Sequence, residues 1–131
     1  MDERRPEPRA LIVADVAALC AFVVAGLFSH REASAPLVLA RNLIPLLAVW
    51  GSVAALFGTY RKGSVSRMLL TWAVAAPVAL LIRSALVGSP RGAALALFLV
   101  VGGGFTLLFL LAGRAVVALV MRRRPSRVPL P

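Results

Sequence analysis

The chain has 131 residues, of which 60% are hydrophobic, and its formal net charge is +10. Soluble domains average about 45–50% apolar residues, so this composition excludes an ordinary soluble domain and indicates a membrane protein of one compact unit. The basic residues lie mainly in the ends and loops between apolar runs, which favours contact with anionic lipid headgroups and argues against nucleic acid as a partner.

The first apolar run, residues 10–28, follows a charged stretch with two prolines, residues 1–9, that we expect to be a disordered cytoplasmic tail. A helix rises about 1.5 Å per residue, so this run is long enough to cross a bilayer core of about 30 Å. A signal peptide is the alternative, but its apolar part is usually about 7–15 residues long and no cleavage site directly follows Phe28. We therefore expect a retained transmembrane helix that contains one carboxylate, Asp15.

Two further spans are predicted at residues 41–60 and 67–87, joined by a short basic loop. Pro45 is expected in the first turn of the second span, where its missing N–H costs little, and Tyr60 at the interfacial end of that span. Pro77 lies in the middle of the third span, so we expect a kink there and a backbone carbonyl without its helical hydrogen bond.

The fourth span is predicted at residues 93–121, followed by a basic, proline-rich cytoplasmic tail at 122–131. The span contains Gly102, Gly103 and Gly104 in a row. Glycines inside membrane helices commonly let another helix approach closely. We therefore expect these glycines to contact another helix, either of this chain or of a second copy.

The distribution of basic residues predicts the orientation of this all-α membrane domain with four transmembrane helices. The two termini and the loop between the second and third spans share one side, which carries ten basic residues against three on the other. The ten are Arg4, Arg5, Arg9, Arg61, Lys62, Arg67, Arg122, Arg123, Arg124 and Arg127, and the three are Arg31, Arg41 and Arg91. The positive-inside rule therefore predicts cytoplasmic N- and C-termini and a multi-pass protein of the cell membrane.

Asp15 and Arg114 are charged residues at membrane depth. Each costs about 2.5–3.5 kcal/mol at the bilayer centre on insertion scales, so each normally faces protein or water and has a partner. The helix rise places Asp15 about 7–8 Å and Arg114 about 10 Å from the inner surface. Similar depth and opposite charge favour a structural ion pair between the first and fourth spans. The alternatives are a protonatable carboxylate in the inner cavity of a transporter, or an interfacial Asp15 with a snorkelling Arg114.

A second group of charges is predicted at the outer surface. Arg83 lies near the outer end of the third span, at the level of His30 and Arg41, and these three residues form a candidate site for an anion or another polar ligand. The alternative is that Arg83 reaches the outer headgroups or pairs with Glu32. Both interpretations stay open at this level.

Other reactive chemistry is missing from the pattern. Cys20 and His30 are the only residues of their types and lie ten positions apart along one span, so no nucleophile–base pair is indicated. No group of His, Cys, Asp and Glu has the spacing of a metal site, and the three consecutive glycines do not form a phosphate-binding loop. We therefore expect a protein that is not an enzyme and that holds no metal or cofactor.

Several short motifs of the chain resemble a known family of small membrane proteins. They are Asp15, the pair Ser29-His30, the segment Phe57 to Arg61, WAVAAPVALLIR from Trp72 to Arg83, and FTLLFLLAGR from Phe105 to Arg114. In this order and spacing they resemble the four-helix family of bacteria and archaea called domain of unknown function 3054. The resemblance covers nearly all of residues 10–118. It implies a multi-pass membrane protein and supplies no activity.

Two functions agree with these features. The first is a small transport or channel component with a polar path near Asp15, Arg83 and Arg114. The alternative is a non-catalytic structural or accessory membrane protein whose intramembrane charges are purely structural. A four-helix unit of this size has little interior, so we expect either kind of protein to associate with a second copy or with another membrane protein.

Overall fold

The computed structural model describes residues 6–29 and 36–123, in which every regular element is a helix. The elements are α1 (Pro8–Ser29), α2 (Pro36–Phe57), α3 (Thr59–Lys62), α4 (Val65–Val87) and α5 (Ala93–Arg123). α1 and α5 therefore extend about two residues into the predicted tails. Pro6 and Glu7 are described and precede α1, and the remainder of both tails lies outside the described residues.

The helices α1, α2, α4 and α5 are long and apolar enough to cross a membrane. The shortest has 22 residues, which is about 33 Å of helix at about 1.5 Å per residue. Each contains a stretch of 18 residues with a mean hydropathy between 1.7 and 2.5. The prediction of an all-α protein with four membrane-length helices is confirmed for the part of the chain that the structure describes.

The four long helices form a bundle in which each packs against two neighbours, in the order α1, α2, α4, α5 and back to α1. The broadest contacts join α2 to α4 and α1 to α5. Asp15 near the start of α1 meets Arg114 in the last third of α5, so these neighbouring helices are antiparallel. The start of α1, the short helix α3 and the end of α5 consequently share one end of the bundle. We call it the α3 end.

The bounds of α2 differ from the prediction at both ends. Pro36 begins the helix, a position that tolerates proline because no N–H is needed there. Pro45 therefore lies well inside α2, and its prediction as a first-turn residue is wrong. The helix stops before Gly58, which adopts a left-handed conformation with φ of 60°. As a result Tyr60 does not end a span but belongs to α3.

α4 and α5 lie close to their predicted bounds. Ser64 caps α4, since its Oγ accepts a hydrogen bond from the backbone N–H of Arg67 at 3.3 Å, and Gly88 ends the helix in a left-handed conformation. Pro77 lies inside α4 without ending it. α5 continues through its three consecutive glycines to Arg123 without a break.

The apolar core lies along the axis of the bundle. It contains Ala18, Leu19, Val23, Leu46, Trp50, Ala54, Met68, Ala75, Ala79 and Leu110. Three of the buried residues of α4 are alanines, Ala75, Ala76 and Ala79, and small side chains of this kind let neighbouring helices approach closely. Large apolar side chains such as Leu56, which is 83% exposed, cover the outside, as expected of a surface that contacts lipid tails.

The glycines of α5 have different environments. A Cβ on Gly102 would lie 3.3 Å from the Leu80 side chain, and the carbonyl of Gly103 accepts a hydrogen bond from Trp72 Nε1 at 2.9 Å, so both contact α4. Gly104 is exposed and a Cβ there would meet nothing within 4 Å, so this glycine contacts no other described helix of this chain. Its contact with a helix of a second copy stays a prediction. Among the glycines of α5 the tightest approach is at Gly113, where a Cβ would lie 3.1 Å from the Ala14 carbonyl oxygen of α1.

Candidate functional site

The structure places Asp15 and Arg114 in direct contact between α1 and α5. Asp15 lies in the second turn of α1 and is completely buried, and the Arg114 side chain is 7% exposed. The guanidinium donates two hydrogen bonds, from Nε to Asp15 Oδ1 at 2.8 Å and from Nη2 to Oδ2 at 2.7 Å. Two parallel charge-assisted bonds of this length are the strong arrangement for an arginine–carboxylate pair, and they fix both position and orientation.

Two aromatic side chains extend this pair to further helices. The Tyr60 hydroxyl of α3 donates to Asp15 Oδ2 at 2.9 Å, and Trp50 Nε1 of α2 donates to the Tyr60 oxygen at 2.9 Å. The guanidinium carbon of Arg114 lies 5.9 Å from the centre of the Tyr60 ring. We call these four residues the Asp15 network. It connects four helices, and only α4 contributes none of its members.

The Asp15 network compensates the burial of a charge. A carboxylate removed from water is stable only when it is paired and hydrogen-bonded, and Asp15 accepts three hydrogen bonds. Burial raises the pKa of the Tyr60 phenol above its usual value, so the hydroxyl keeps its proton and acts as a donor to Asp15. Within 6–29 and 36–123, no buried side-chain nitrogen or oxygen lacks a hydrogen-bond partner.

The short helix α3 is held in place by two adjacent residues. Thr59 is completely buried and shares a hydrogen bond with Thr71 of α4, whose hydroxyl also contacts the Arg67 carbonyl. Tyr60 contacts α1 and α2 through the Asp15 network. Gly63 ends α3 in a left-handed conformation, and a Cβ on it would lie 3.3 Å from Leu11 of α1. α3 is therefore packed against the bundle on one side.

Sequence reasoning did not assign Tyr60 and Trp50 to this site. The pattern predicts an interfacial position for Tyr60 and no specific role for Trp50, which lies inside an apolar run. The available signal was Gly58, because a glycine between an apolar helix and a tyrosine allows the chain to turn back toward the bundle. That signal does not specify the direction of the turn.

The predicted outer site is only partly assembled in the described residues. Arg83 is half-buried, its Nε donates to Asn42 Oδ1 of α2 at 2.7 Å, and its guanidinium carbon lies 4.9 Å from the centre of the Phe98 ring of α5. Arg41 is exposed. His30 lies outside the described residues. Arg83 thus joins α4 to two neighbouring helices, and Asn42, which the prediction placed only at the start of a span, is its partner.

Metal-ligating and nucleophilic side chains are the remaining candidates for a reactive site. In the described part of the chain, no three His, Cys, Asp or Glu side chains lie together in a way that could hold a metal ion. Cys20 is a free thiol, half-buried in α1. The oxygens of Asp15 are occupied by three donors from two neighbouring helices, which leaves the carboxylate without an exposed surface.

The fold and the Asp15 network together describe a small protein with four helices long and apolar enough to cross a membrane and with a buried ion pair between two of them. The chain belongs to the family described as "Protein of unknown function (DUF3054)", whose sequence profile matches residues 12–117. This confirms the family resemblance drawn from the short motifs. No curated protein and no solved structure matches the chain.

Proposed function

We propose that this chain is a non-catalytic structural or accessory protein of the cell membrane, in which the intramembrane ion pair holds the bundle together. The observation that carries the proposal is the state of Asp15, which is completely buried and accepts three hydrogen bonds from protein donors. A carboxylate that carries protons or binds a substrate must exchange them with a cavity. Asp15 instead has the surroundings of a helix-joining group.

The proposal includes an orientation with both termini in the cytoplasm. Its support is the excess of basic residues, ten against three, on the side that contains the termini and α3. In the fold, the exposed residues Arg61 and Lys62 of α3 and Arg122 and Arg123 of α5 lie at the same end of the bundle. Arg91 lies in the loop between α4 and α5, at the opposite end.

A flux measurement on the full chain in proteoliposomes tests the structural role of Asp15. Vesicles that contain a pH-sensitive dye should show the same proton leak with the protein as without it, under an imposed potential. The variants Asp15→Asn and Arg91→Gln should leave that rate unchanged. A proton flux above that of empty vesicles, abolished by Asp15→Asn and retained by Arg91→Gln, would refute the proposal.

A transport or channel component is the second candidate function. The feature in its favour is Arg83, a half-buried cation within the apolar helix α4 that is positioned by Asn42 and Phe98. A polar path would then include Arg83, Asp15 and Arg114. Anion flux that is lost in Arg83→Gln and kept in Arg91→Gln would support this candidate.

An accessory role also requires an associated protein, either a second copy of this chain or another membrane protein. The support is the small interior of a four-helix unit, whose core contains only ten buried apolar side chains among the described residues. Chemical cross-linking in native membranes, followed by mass measurement of the complex, should give a species heavier than 13.8 kDa. A species of that mass alone would contradict an associated protein.

A further inference from the structure

The α3 end of the bundle carries a group of exposed cations from three helices. They are Arg9 of α1, Arg61 and Lys62 of α3, and Arg122 and Arg123 of α5, and we call them the cationic patch. Within 6–29 and 36–123 none of the five side chains forms a hydrogen bond or an ion pair with another side chain or with the backbone. Glu7 is the one acidic residue besides Asp15 in those ranges. Among the described residues the patch therefore has a strong excess of positive charge.

The packing of α3 determines how two of these cations are presented. Successive residues of a helix are about 100° apart around its axis, since one turn takes about 3.6 residues. Thr59 and Tyr60 point into the bundle, where they bind Thr71 and Asp15. The next two residues, Arg61 and Lys62, consequently lie on the opposite side of α3 and are exposed. The contacts of Thr59 and Tyr60 therefore orient Arg61 and Lys62 away from the bundle.

Exposed apolar side chains lie next to the patch. Val13 of α1 is 67% exposed, Val65 at the start of α4 is 52% exposed, and Val120 near the end of α5 is 50% exposed. A ligand that covers both surfaces must combine an anionic group with an apolar part. A phospholipid has this combination, with a phosphate at the level of Arg61 and Lys62 and acyl chains along the helices.

We propose that α3 forms a binding site for the phosphate of an anionic phospholipid, with Arg61 and Lys62 as its central ligands. A freely dissolved phosphate ester would use the cations and leave the apolar surface uncovered. A zwitterionic lipid would cover the apolar surface, but its choline group would lie among cations. An anionic lipid of the leaflet at the α3 end would place its phosphate on the cationic patch and its acyl chains on the exposed apolar side chains. The proposal rests on the membrane location above, and it does not depend on the role of Asp15.

The full chain in detergent, analysed by native mass spectrometry with added lipids, tests this site. The probes are phosphatidylglycerol, phosphatidylcholine and water-soluble glycerol phosphate. The wild-type chain should bind phosphatidylglycerol at least tenfold more tightly than phosphatidylcholine. The double variant Arg61→Gln/Lys62→Gln should weaken phosphatidylglycerol binding about thirtyfold, since each basic residue near an anionic surface contributes about 1 kcal/mol and about 1.4 kcal/mol is tenfold.

Arg91→Gln is the matched control, because Arg91 is an exposed cation at the opposite end of the bundle. It should bind phosphatidylglycerol like the wild type, and all variants should have the same helix content by circular dichroism, since the substituted side chains are exposed. Equal binding by the double variant and the control would overturn the proposal. Displacement of the lipid by an equal concentration of glycerol phosphate would overturn it too, in favour of a soluble phosphate ligand. Proton flux in the earlier assay would refute the proposed function and leave lipid binding unchanged.

Discussion

Breaking the Asp15–Arg114 pair should cost a large part of the stability of the bundle. In Asp15→Asn, the Arg114 side chain, which is 7% exposed, keeps its positive charge but loses its counter-charge. One of the two carboxylate oxygens that accept its hydrogen bonds is replaced by an amide nitrogen, which is a donor. Removing one partner of a buried pair costs about 3–5 kcal/mol, whereas whole domains are stable by about 5–15 kcal/mol. Arg114→Gln leaves the carboxylate with its Tyr60 bond and at most one replacement donor. We expect each single change to cost about 3 kcal/mol.

The double variant Asp15→Asn/Arg114→Gln separates the pair from other effects of the two substitutions. It removes both charges, so neither is left buried alone, and it should recover about 1–3 kcal/mol relative to the sum of the single variants. For comparison, ordinary hydrogen bonds between membrane helices average only about 0.6 kcal/mol in such cycles.

Reversible unfolding in mixed detergent micelles, followed by circular dichroism, measures these free energies. Arg91→Gln is the control for removal of an exposed arginine and should change the unfolding free energy little. Additive effects of the two single substitutions would refute the reasoning, because independent groups do not couple. A cost below about 1 kcal/mol for Asp15→Asn would refute it as well, since that is the range of exposed ion pairs.

Three further predictions concern the neighbours of this pair and the orientation of the chain. Tyr60→Phe should lower the unfolding free energy by about 1–3 kcal/mol, because Asp15 loses a donor and Trp50 its acceptor; an unchanged value would contradict the network. Gly113→Leu should reduce the yield of folded protein, because its side chain would meet the backbone of α1, whereas Gly104→Leu on an exposed surface should be tolerated; equal yields would show that α1 and α5 are not in close contact. A reporter fused to the C-terminus should be active in the cytoplasm, and activity on the other side would overturn the proposed orientation.

The four membrane-length helices follow from the sequence because hydropathy and length are properties of each segment alone. The rise of a helix likewise predicts depth, and Asp15 and Arg114 have similar depth in their segments. The structure adds the rotation of each helix about its axis, which makes both side chains face each other. Hydropathy does not specify that rotation in this chain, because each helix has apolar residues on all of its faces. One face packs in the core and the others are suited to lipid, so the apolar pattern does not distinguish them.

The errors in the prediction come from backbone features that the pattern does not reveal. Arg41 and Asn42 interrupt the second apolar run, so the pattern predicts that the helix starts at residue 41 and has Pro45 in its first turn. The helix begins at Pro36 instead, and Asn42 faces Arg83 of α4. The position of Tyr60 depends on the φ angle of Gly58, which the sequence permits but does not require. These are effects of tertiary packing on local structure.

The distance between the two charges along the chain has a consequence for biosynthesis. Asp15 and Arg114 are 99 residues apart, and Arg114 belongs to the last helix of the bundle. When α1 enters the membrane during translation, the arginine that neutralises its carboxylate has not yet been made, and neither has Tyr60. Asp15 must stay near the surface until α3 and α5 are present. The stable position of the first helix is therefore reached only after the last helix has inserted beside it.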